Sequence, residues 1–358
     1  MAAQPNYVVS PGDHIREWLY DNSLNAAELA RRLNVTPKHI SEVLAGKAPL
    51  SATIAIGLER VTGIPARIWN QFEAGYREDI ARLAETNSLA AQYERAKNFP
   101  LGYLRKWKFI TAPASDRVST VRQVLELFRI AHLDAYEAAW GQPKVAYRKS
   151  RVAVGKQYDL ATWLAIGERL AASENLPDFS RAGVEEIIPK LRALTKADPL
   201  HALEEATCLL ADCGAALVLV PPIPGLGIFG ATRWVNGHPI IQLSLHGKSD
   251  DQLWFTLFHE LGHILLHGSN FLYILGEDSE TEREADEFAS NTLIPPAAAA
   301  SLPITRDLSA ITKIANELGV APSIVLGRAQ RESKDFAWGH NLKRKLDFQA
   351  TKNITSTN

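Results

Sequence analysis

One short motif in this chain has the residue types and spacing of a metal site. Residues 259–263 read His-Glu-Leu-Gly-His inside a largely apolar stretch, 254–267. In a helix, positions four apart share a face with their Cβ atoms about 5–6 Å apart, so His259 and His263 could bind one zinc ion. Glu260 would then act as a base on a water molecule at the metal. The alternatives are a chance match or a pair of hydrogen-bonded core histidines, and the latter would bury a carboxylate at a large cost in free energy.

A catalytic zinc ion needs a third protein ligand and one open position. In the pattern H-E-x-x-H-x-x-G-x-x-H, the glycine and the third histidine would fall on Leu266 and Ser269, so that pattern is excluded. Downstream, a second predicted helix has Glu282 and Asp286 on one face. We expect Glu282 to bind the metal and Asp286 to accept a hydrogen bond from the other ring nitrogen of a metal-binding histidine. A capping box between Ser279 and Glu282 is the alternative.

These motifs resemble those of the ImmA/IrrE family of metallo-endopeptidases. The HELGH motif is followed by E-R-E-A-D-E-F-A and then L-I-P-P, where the family typically has E-x-x-A-[ND]-x-F-A before a leucine-rich end and a proline. The resemblance covers residues 145–330 and implies a zincin-like α+β peptidase domain with a His₂Glu site. It implies peptide-bond hydrolysis, since members are implicated in cleaving helix-turn-helix repressors. The implied roles are zinc ligands His259, His263 and Glu282, and catalytic base Glu260. His267 matches no role in the family.

Short apolar runs before the motif predict a small sheet against which the zinc helix packs. They cover residues 215–220, 230–234 and 239–245. The run at 238–244 could pair with an extended substrate, or it could be an ordinary core strand. Ser249 and Gln252 predict a capping box at the start of the zinc helix. Gly262 lies inside that helix and predicts close approach by a neighbouring backbone.

A second informative region lies near the N-terminus, where residues 25–47 predict two short helices joined by a tight turn. Asn25 with Glu28 predicts a capping box for the first helix, and Thr36 followed by Pro37 predicts the start of the second. The apolar positions fit a helix-turn-helix, whose second helix enters the major groove of DNA by its N-terminal end. These positions are Leu29, Ala30, Leu33, Val35, Ile40, Val43 and Leu44.

The outward positions of this predicted helix pair are the candidate DNA contacts. At the start of the second helix, Pro37, Lys38, His39 and Ser41 face outward, and the candidates for contacts to base edges are Lys38, His39 and Ser41. The candidates for phosphate contacts are Arg31, Arg32 and Lys47. Residues 1–85 carry nine Lys and Arg against ten Asp and Glu, which favours the alternative of a helical hairpin without a nucleic-acid role.

The same region resembles the XRE-type domain of HigA antitoxins over residues 8–85. The resemblance depends on Pro11-Gly12, the span 30–46, and Ile68-Trp69 after a predicted helix at 52–63. It implies a double-stranded DNA operator, a homodimer and a cognate toxin as partners. A later string, 315–325, echoes the helix-turn-helix spacing but has little positive charge on its second helix, so we expect it to pack within the peptidase domain.

Length and composition fit two or three domains of a cytoplasmic protein. The chain has 358 residues, is 46% hydrophobic and has a net charge of −1. We find no signal-like segment and expect no membrane association, because the longest apolar stretch is interrupted by the metal motif. Cys208 and Cys213 lack metal-site spacing and are expected to be reduced core residues.

The predicted fold class is therefore multidomain and mainly α. The predicted parts are a helix-turn-helix domain at 1–85, a helical linker at 86–200, an α+β zincin-like peptidase domain with a small sheet at 201–345 and a disordered tail at 346–358. We expect a DNA-binding transcriptional regulator, similar to an antitoxin or repressor, with a zinc endopeptidase domain. Its substrate or partner would be a helix-turn-helix repressor or a toxin. The alternative is a regulator whose metal domain senses or binds a partner without cutting.

Overall fold

The computed structural model of the protein describes residues 8–140, 156–268, 273–274, 280–300, 302 and 306–346. The chain divides into two compact units, Met1–Tyr93 and Glu94–Asn358. Within the described ranges it is mainly α-helical with one small sheet, as predicted. Except for Leu346, the predicted disordered tail lies outside these ranges. No helix among the described residues is long and apolar enough to span a membrane.

The first unit is helical. Its elements are α1 (Pro11–Asp21), α2 (Ala26–Arg32), α3 (Pro37–Leu44), α4 (Ala52–Thr62) and α5 (Ala66–Ala96), which continues past the unit boundary. Thr36 caps α3 as predicted, since its hydroxyl accepts a hydrogen bond from the His39 N–H at 3.2 Å. Asn34 has φ 56° in the turn before α3, a left-handed conformation that asparagine tolerates.

The core of this unit confirms the predicted apolar pattern. Leu29, Ala30, Ile40, Val43 and Leu44 are buried with residues of α1, α4 and α5, while Leu33 and Val35 are partly buried. The predicted capping box at α2 is incomplete. Asn25 accepts the Glu28 N–H at 2.9 Å, but the Glu28 carboxylate pairs with Arg31 and Arg32 instead of returning to the cap.

The second unit begins with helices that lead to a sheet. They are α6 (Leu101–Lys106), α7 (Arg117–Phe128), α8 (Tyr136–Trp140), α9 (Gln157–Ala171), α10 (Arg181–Leu194) and α11 (Pro199–Asp212). Helix α9 packs against the sheet, where the Gln242 side chain donates to the Trp163 carbonyl at 2.6 Å. Cys213 is buried as expected, but the prediction for Cys208 was wrong, because it lies on the exposed side of α11.

The sheet has the order β1-β3-β2-β4, with β1 and β3 parallel and the other pairs antiparallel. Its strands are β1 (Ala216–Leu219), β2 (Gly230–Val235), β3 (His238–Leu243) and β4 (Tyr273–Ile274). Asn236 and Gly237 both have positive φ and form the two-residue hairpin between β2 and β3. Because β3 pairs on both sides, it cannot add a substrate strand. The alternative of a core strand is therefore correct.

The remaining helices enclose the sequence motif. They are α12 (Asp250–Leu266), α13 (Glu280–Leu293), α14 (Pro296–Ala299), α15 (Leu308–Leu318) and α16 (Pro322–Ser333). Helix α12 packs on β2 and β3 and on α13. A Cβ added to Gly262 would lie 3.1 Å from the Ala285 Cα, which confirms the predicted close approach. The string at 315–325 forms parts of α15 and α16 and contributes buried residues to the core, as expected.

The start of α12 differs from the prediction. Ser249 occupies the cap position, but its side chain makes no capping bond, so the predicted capping box with Gln252 is wrong. The C-terminal segment covers this end instead. Buried Asp250 accepts from the Arg344 Nε and the Ser323 hydroxyl, each at 2.7 Å, and the Arg344 carbonyl accepts the Asp250 N–H. A carboxylate here also interacts favourably with the helix dipole.

Candidate metal centre

Two histidines of α12 and one glutamate of α13 have buried side chains whose polar atoms lie close together. The Nε2 atoms of His259 and His263 lie 3.0 Å apart. The Glu282 carboxylate reaches both, with Oε1 2.9 Å from the His263 Nε2 and Oε2 3.2 Å from the His259 Nε2. The structure therefore brings together the three residues that the sequence singled out as metal ligands.

The donor chemistry and spacing of these residues fit a zinc ion. Ligand atoms about 2.0–2.1 Å from a tetrahedral zinc ion lie roughly 3.3 Å from one another. The observed separations of 2.9–3.2 Å are close to that value. Two imidazole nitrogens and one carboxylate oxygen also match the donor set of catalytic zinc sites. Ser279, the partner in the alternative capping box, lies outside the described residues.

A series of hydrogen bonds holds His259 through its other ring nitrogen, Nδ1. The His259 Nδ1 lies 2.9 Å from the Asp286 Oδ1, which is the contact expected for Asp286. The Arg331 Nη2 donates to the Asp286 Oδ2 at 2.9 Å, and its guanidinium lies over the Phe255 ring. Such outer contacts fix the ring orientation of a ligating histidine. Arg331 was not predicted, because α16 is 45 residues away in the sequence and no motif connects it with Asp286.

The second histidine has a different partner. The His263 Nδ1 lies 3.0 Å from the His267 Nδ1, and the His267 Nε2 lies 2.8 Å from the Glu284 Oε2. Glu284 lies on the exposed face of α13, and its carboxylate pairs with His267. The four-residue spacing of His263 and His267 was the signal in the sequence that could have identified this contact.

Glu260 is fully buried beside the histidines. Its Oε2 accepts a hydrogen bond from the Thr232 hydroxyl of β2 at 2.7 Å, while its Oε1 has no partner among the described residues. Burial raises the pKa of Glu260 to about 8, although the nearby His259 opposes the shift. A buried carboxyl whose pKa lies near neutrality can both take and return a proton. Thr232 was missed by the sequence analysis, since it lies on a strand far from the motif.

The charges of the ligand residues are set by their mutual contacts. Burial acts to raise the pKa of Glu282, but hydrogen bonds from both histidines outweigh it and lower this pKa to about 2. Burial acts to lower the pKa of His259, but Asp286 and Glu282 outweigh it and raise this pKa to about 9. Burial lowers the pKa of His263. The raised pKa favours the protonated form of His259, whereas a metal ion binds the neutral imidazole.

Because Gly230 has no side chain, the Glu260 carboxylate can lie next to it. A Cβ at position 230 would lie 2.6 Å from the Glu260 Oε1 and 2.6 Å from the Thr256 Cγ2. We expect Gly230→Ala to displace the carboxylate, lower kcat/KM for the reaction at this centre by at least about tenfold and destabilise the unit by roughly 1–3 kcal/mol. Kinetics and thermal unfolding would measure this. Gly102→Ala is the matched control, because a Cβ there meets nothing within 4 Å. Unchanged kinetics in Gly230→Ala would contradict the crowding argument.

The candidate DNA contacts lie on and beside α3. Most are exposed: Arg31, Arg32, Pro37, Lys38, Ser41 and Lys47. His39 is half-buried. The Lys38 side chain is 85% exposed, and its Nζ lies 3.9 Å from the Glu42 carboxylate. Because Arg31 and Arg32 share the Glu28 carboxylate, a phosphate would have to compete with that ion pair.

Comparison with known proteins gives two matches. A family model for the IrrE N-terminal-like domain, peptidase family M78, matches residues 228–330, which include β2, β3 and the metal centre. A curated relative, the uncharacterized HTH-type transcriptional regulator YddM of Escherichia coli (strain K12), is 37% identical over 80 residues. That match covers 20% of this chain and 85% of the relative. The chain therefore belongs to the HTH-type transcriptional regulators, and over residues 228–330 it is similar to the IrrE N-terminal-like domain.

Proposed function

We propose that this protein is a DNA-binding transcriptional regulator whose zinc-dependent endopeptidase domain hydrolyses a peptide bond in a regulatory protein. The observation that carries the proposal is the convergence of His259, His263 and Glu282 within 3.2 Å of one another, with buried Glu260 beside them. A purely structural cluster would not need the buried Oε1 of Glu260, which has no hydrogen-bond partner among the described residues.

The chemistry follows from the surroundings of each residue. Bound zinc would supply a Lewis acid that polarises the scissile carbonyl and makes a water molecule more acidic. Glu260 would take a proton from water at its Oε1, which has no partner among the described residues, and pass it to the leaving amine, because a carboxyl whose pKa lies near neutrality can serve in turn as base and acid. Thr232 fixes the other carboxylate oxygen, so the reactive oxygen keeps one orientation. Asp286 orients the His259 ring.

The first unit would supply DNA recognition in the cytoplasm. Lys38, His39 and Ser41 at the start of α3 are the proposed contacts to base edges, with Pro37 fixing the start of the helix. The proposed phosphate contacts are Arg31, Arg32 and Lys47. The likeness to an HTH-type regulator supports this assignment. A homodimer similar to HigA antitoxins would bind a two-fold-symmetric operator. The proposed domain limits remain 1–85 for DNA recognition, 86–200 for the helical connection and 201–345 for the peptidase.

A cleavage assay tests the peptidase half. The zinc-loaded chain is incubated with purified helix-turn-helix repressors, with toxins encoded beside it and with its own segment 86–200. We expect single-site cleavage of one substrate, detected by mass spectrometry, which stops on chelation and returns when zinc is restored. Intact substrates throughout, with zinc demonstrably bound, would favour the alternative of a metal domain that senses or binds a partner without cutting.

Gel-shift titration tests the DNA half. Lys38→Ala or Ser41→Ala should reduce the preference for the operator over scrambled DNA by roughly 1–3 kcal/mol, because base contacts carry sequence preference. Arg31→Ala should weaken binding to all sequences alike and flatten the salt dependence, as a phosphate contact does. The site to use is a two-fold-symmetric sequence near the gene of this protein, with half-sites about one helical turn apart.

The control for these titrations is Lys313→Ala, an exposed lysine of α15 in the second unit, which should leave DNA binding unchanged. Equal affinity of the wild-type chain for operator and scrambled DNA would contradict the assigned base contacts. No binding to any DNA at low salt would mean that the N-terminal helices contact a protein instead.

A further inference from the structure

A cavity of about 350 Å³ lies beside Glu260 in the second unit. Thr256 lines it one helical turn before Glu260, about 6 Å along the axis of α12. The Thr256 Cγ2 and the Glu260 Oε1 both lie 2.6 Å from the position that a Cβ on residue 230 would occupy. Phe255 also lines the cavity, and its ring centroid is 6.4 Å from that of His259. A side chain in this cavity would therefore lie next to the proposed reacting groups.

The walls of the cavity are largely apolar. The apolar lining residues are Phe229, Phe255, Leu293, Ile294, Ile324 and Phe336. Phe336 is 58% exposed, so an aromatic ring stands where the cavity meets solvent. Three phenylalanine rings favour an aromatic occupant, because aromatic pairs contribute about 0.5–1.5 kcal/mol beyond the burial of their area.

The charged groups of the cavity are already paired. Its cations and their carboxylate partners are Arg328 with Glu332 at 2.6 Å, Arg331 with Asp286 at 2.9 Å, and Lys343 with Asp251 at 2.7 Å. An occupant with a net charge would therefore have to compete with these ion pairs for a partner of opposite charge. The balance of charge favours a neutral side chain.

We propose that this cavity binds an uncharged aromatic side chain next to the scissile bond of the substrate. Tryptophan, tyrosine and phenylalanine combine a large ring with no charge, which matches the three phenylalanine rings and the paired charges of the lining. The cavity volume lies at the lower end of the roughly 300–1,000 Å³ typical of ligand pockets, which suits one large side chain. This inference rests on the proposed peptidase function and specifies its substrate class.

Binding is measured first, without catalysis. The full-length, zinc-loaded Glu260→Gln variant is titrated calorimetrically with N-acetyl-tryptophanamide, N-acetyl-leucinamide and N-acetyl-lysinamide. We expect the tryptophan amide to bind at least tenfold more tightly than the other two. Ser290→Trp places a large ring in the cavity wall and should abolish this binding, whereas Asn291→Trp, the next residue of α13 and not part of the wall, should preserve it.

A second variant tests the cavity independently, in case Ser290→Trp does not fold. Phe336→Ala removes an exposed ring from the cavity and should leave the melting temperature unchanged while weakening tryptophanamide binding several-fold. Equal binding of the leucine or lysine amide, or tryptophanamide binding that survives both cavity variants, would overturn the proposal.

Cleavage is measured second, with peptides that vary only in the residues flanking the scissile bond. We expect kcat/KM for tryptophan or tyrosine to exceed that for leucine, lysine or glutamate by at least tenfold, and Phe336→Ala to reduce this preference. Cleavage without such a preference would overturn the cavity assignment and leave the peptidase function intact. Specific tryptophanamide binding with no cleavage of any peptide would contradict the peptidase function, and with it the role in substrate selection.

Discussion

Replacing His263 or Glu282 by alanine is expected to remove nearly all zinc from the protein. The Nε2 atoms of the two histidines lie 3.0 Å apart, and the Glu282 carboxylate lies 2.9 Å from one and 3.2 Å from the other, so either substitution removes one of the three ligand residues. We expect about one zinc ion per wild-type chain, and a loss of affinity of more than about 100-fold in either variant, beyond the range for outer contacts. Elemental analysis and competition with a zinc-binding dye would measure both.

Two further variants show how the loss of zinc affinity depends on the position of the substituted residue. Asp286→Asn keeps the shape of the side chain that contacts His259 and should weaken zinc binding by only about 10–100-fold. His201→Ala changes an exposed histidine on α11 and should leave zinc binding unchanged. Full zinc retention in both His263→Ala and Glu282→Ala would eliminate the site as described.

Glu260→Gln is expected to abolish cleavage while leaving zinc, fold and DNA binding in place. The amide preserves the size of the buried carboxylate and can still accept the Thr232 hydroxyl hydrogen bond, but it cannot take a proton from water. Loss of a general base costs about 10²–10⁴-fold in rate. Peptide kinetics, zinc analysis, thermal unfolding and gel shifts on one preparation would separate these effects.

The matched control is Glu287→Gln, which makes the same chemical change on the exposed face of α13 and should retain full activity. Cleavage by Glu260→Gln at the wild-type rate would remove Glu260 from the mechanism. A regulatory effect in cells that does not change in Glu260→Gln would favour the non-cutting alternative, even if the purified protein cleaves peptides.

The sequence predicted that His259, His263 and Glu282 would come together because these residues and their neighbours follow local helical spacing. His259, Glu260 and His263 lie within one turn and a half of α12, and Glu282 and Asp286 lie within one turn of α13. The contacts from Arg331 and Thr232 were not predictable in this way. Each arrives from an element distant in sequence, and its position depends on how α16 and β2 pack against α12 and α13.

The fold could also be predicted where local patterns determine it. The predictions were wrong where contacts between distant parts of the sequence determine the structure. Strand and helix positions followed the apolar periodicity, as in β1 to β3 and α12. The hypothesis that β3 pairs with an extended substrate was wrong, because the order of strands in a sheet depends on pairing over long sequence distances. The prediction of a capping box at Ser249 was wrong because Arg344, far away in the sequence, contacts the start of α12, and no local pattern encodes that contact.

The packing of α12 on α13 also has a consequence for folding equilibria. Glu282 follows His263 by 19 residues in the sequence, so an ion held by both closes a loop in the chain much as a covalent cross-link does. Without the ion, contacts such as that between Gly262 and Ala285 must hold the helices together. Because only the docked helices present all three donors, each tenfold rise in free zinc above its dissociation constant should add about 1.4 kcal/mol to the free energy of unfolding. The free energy of unfolding of this unit would then rise and fall with the concentration of free zinc in the cell.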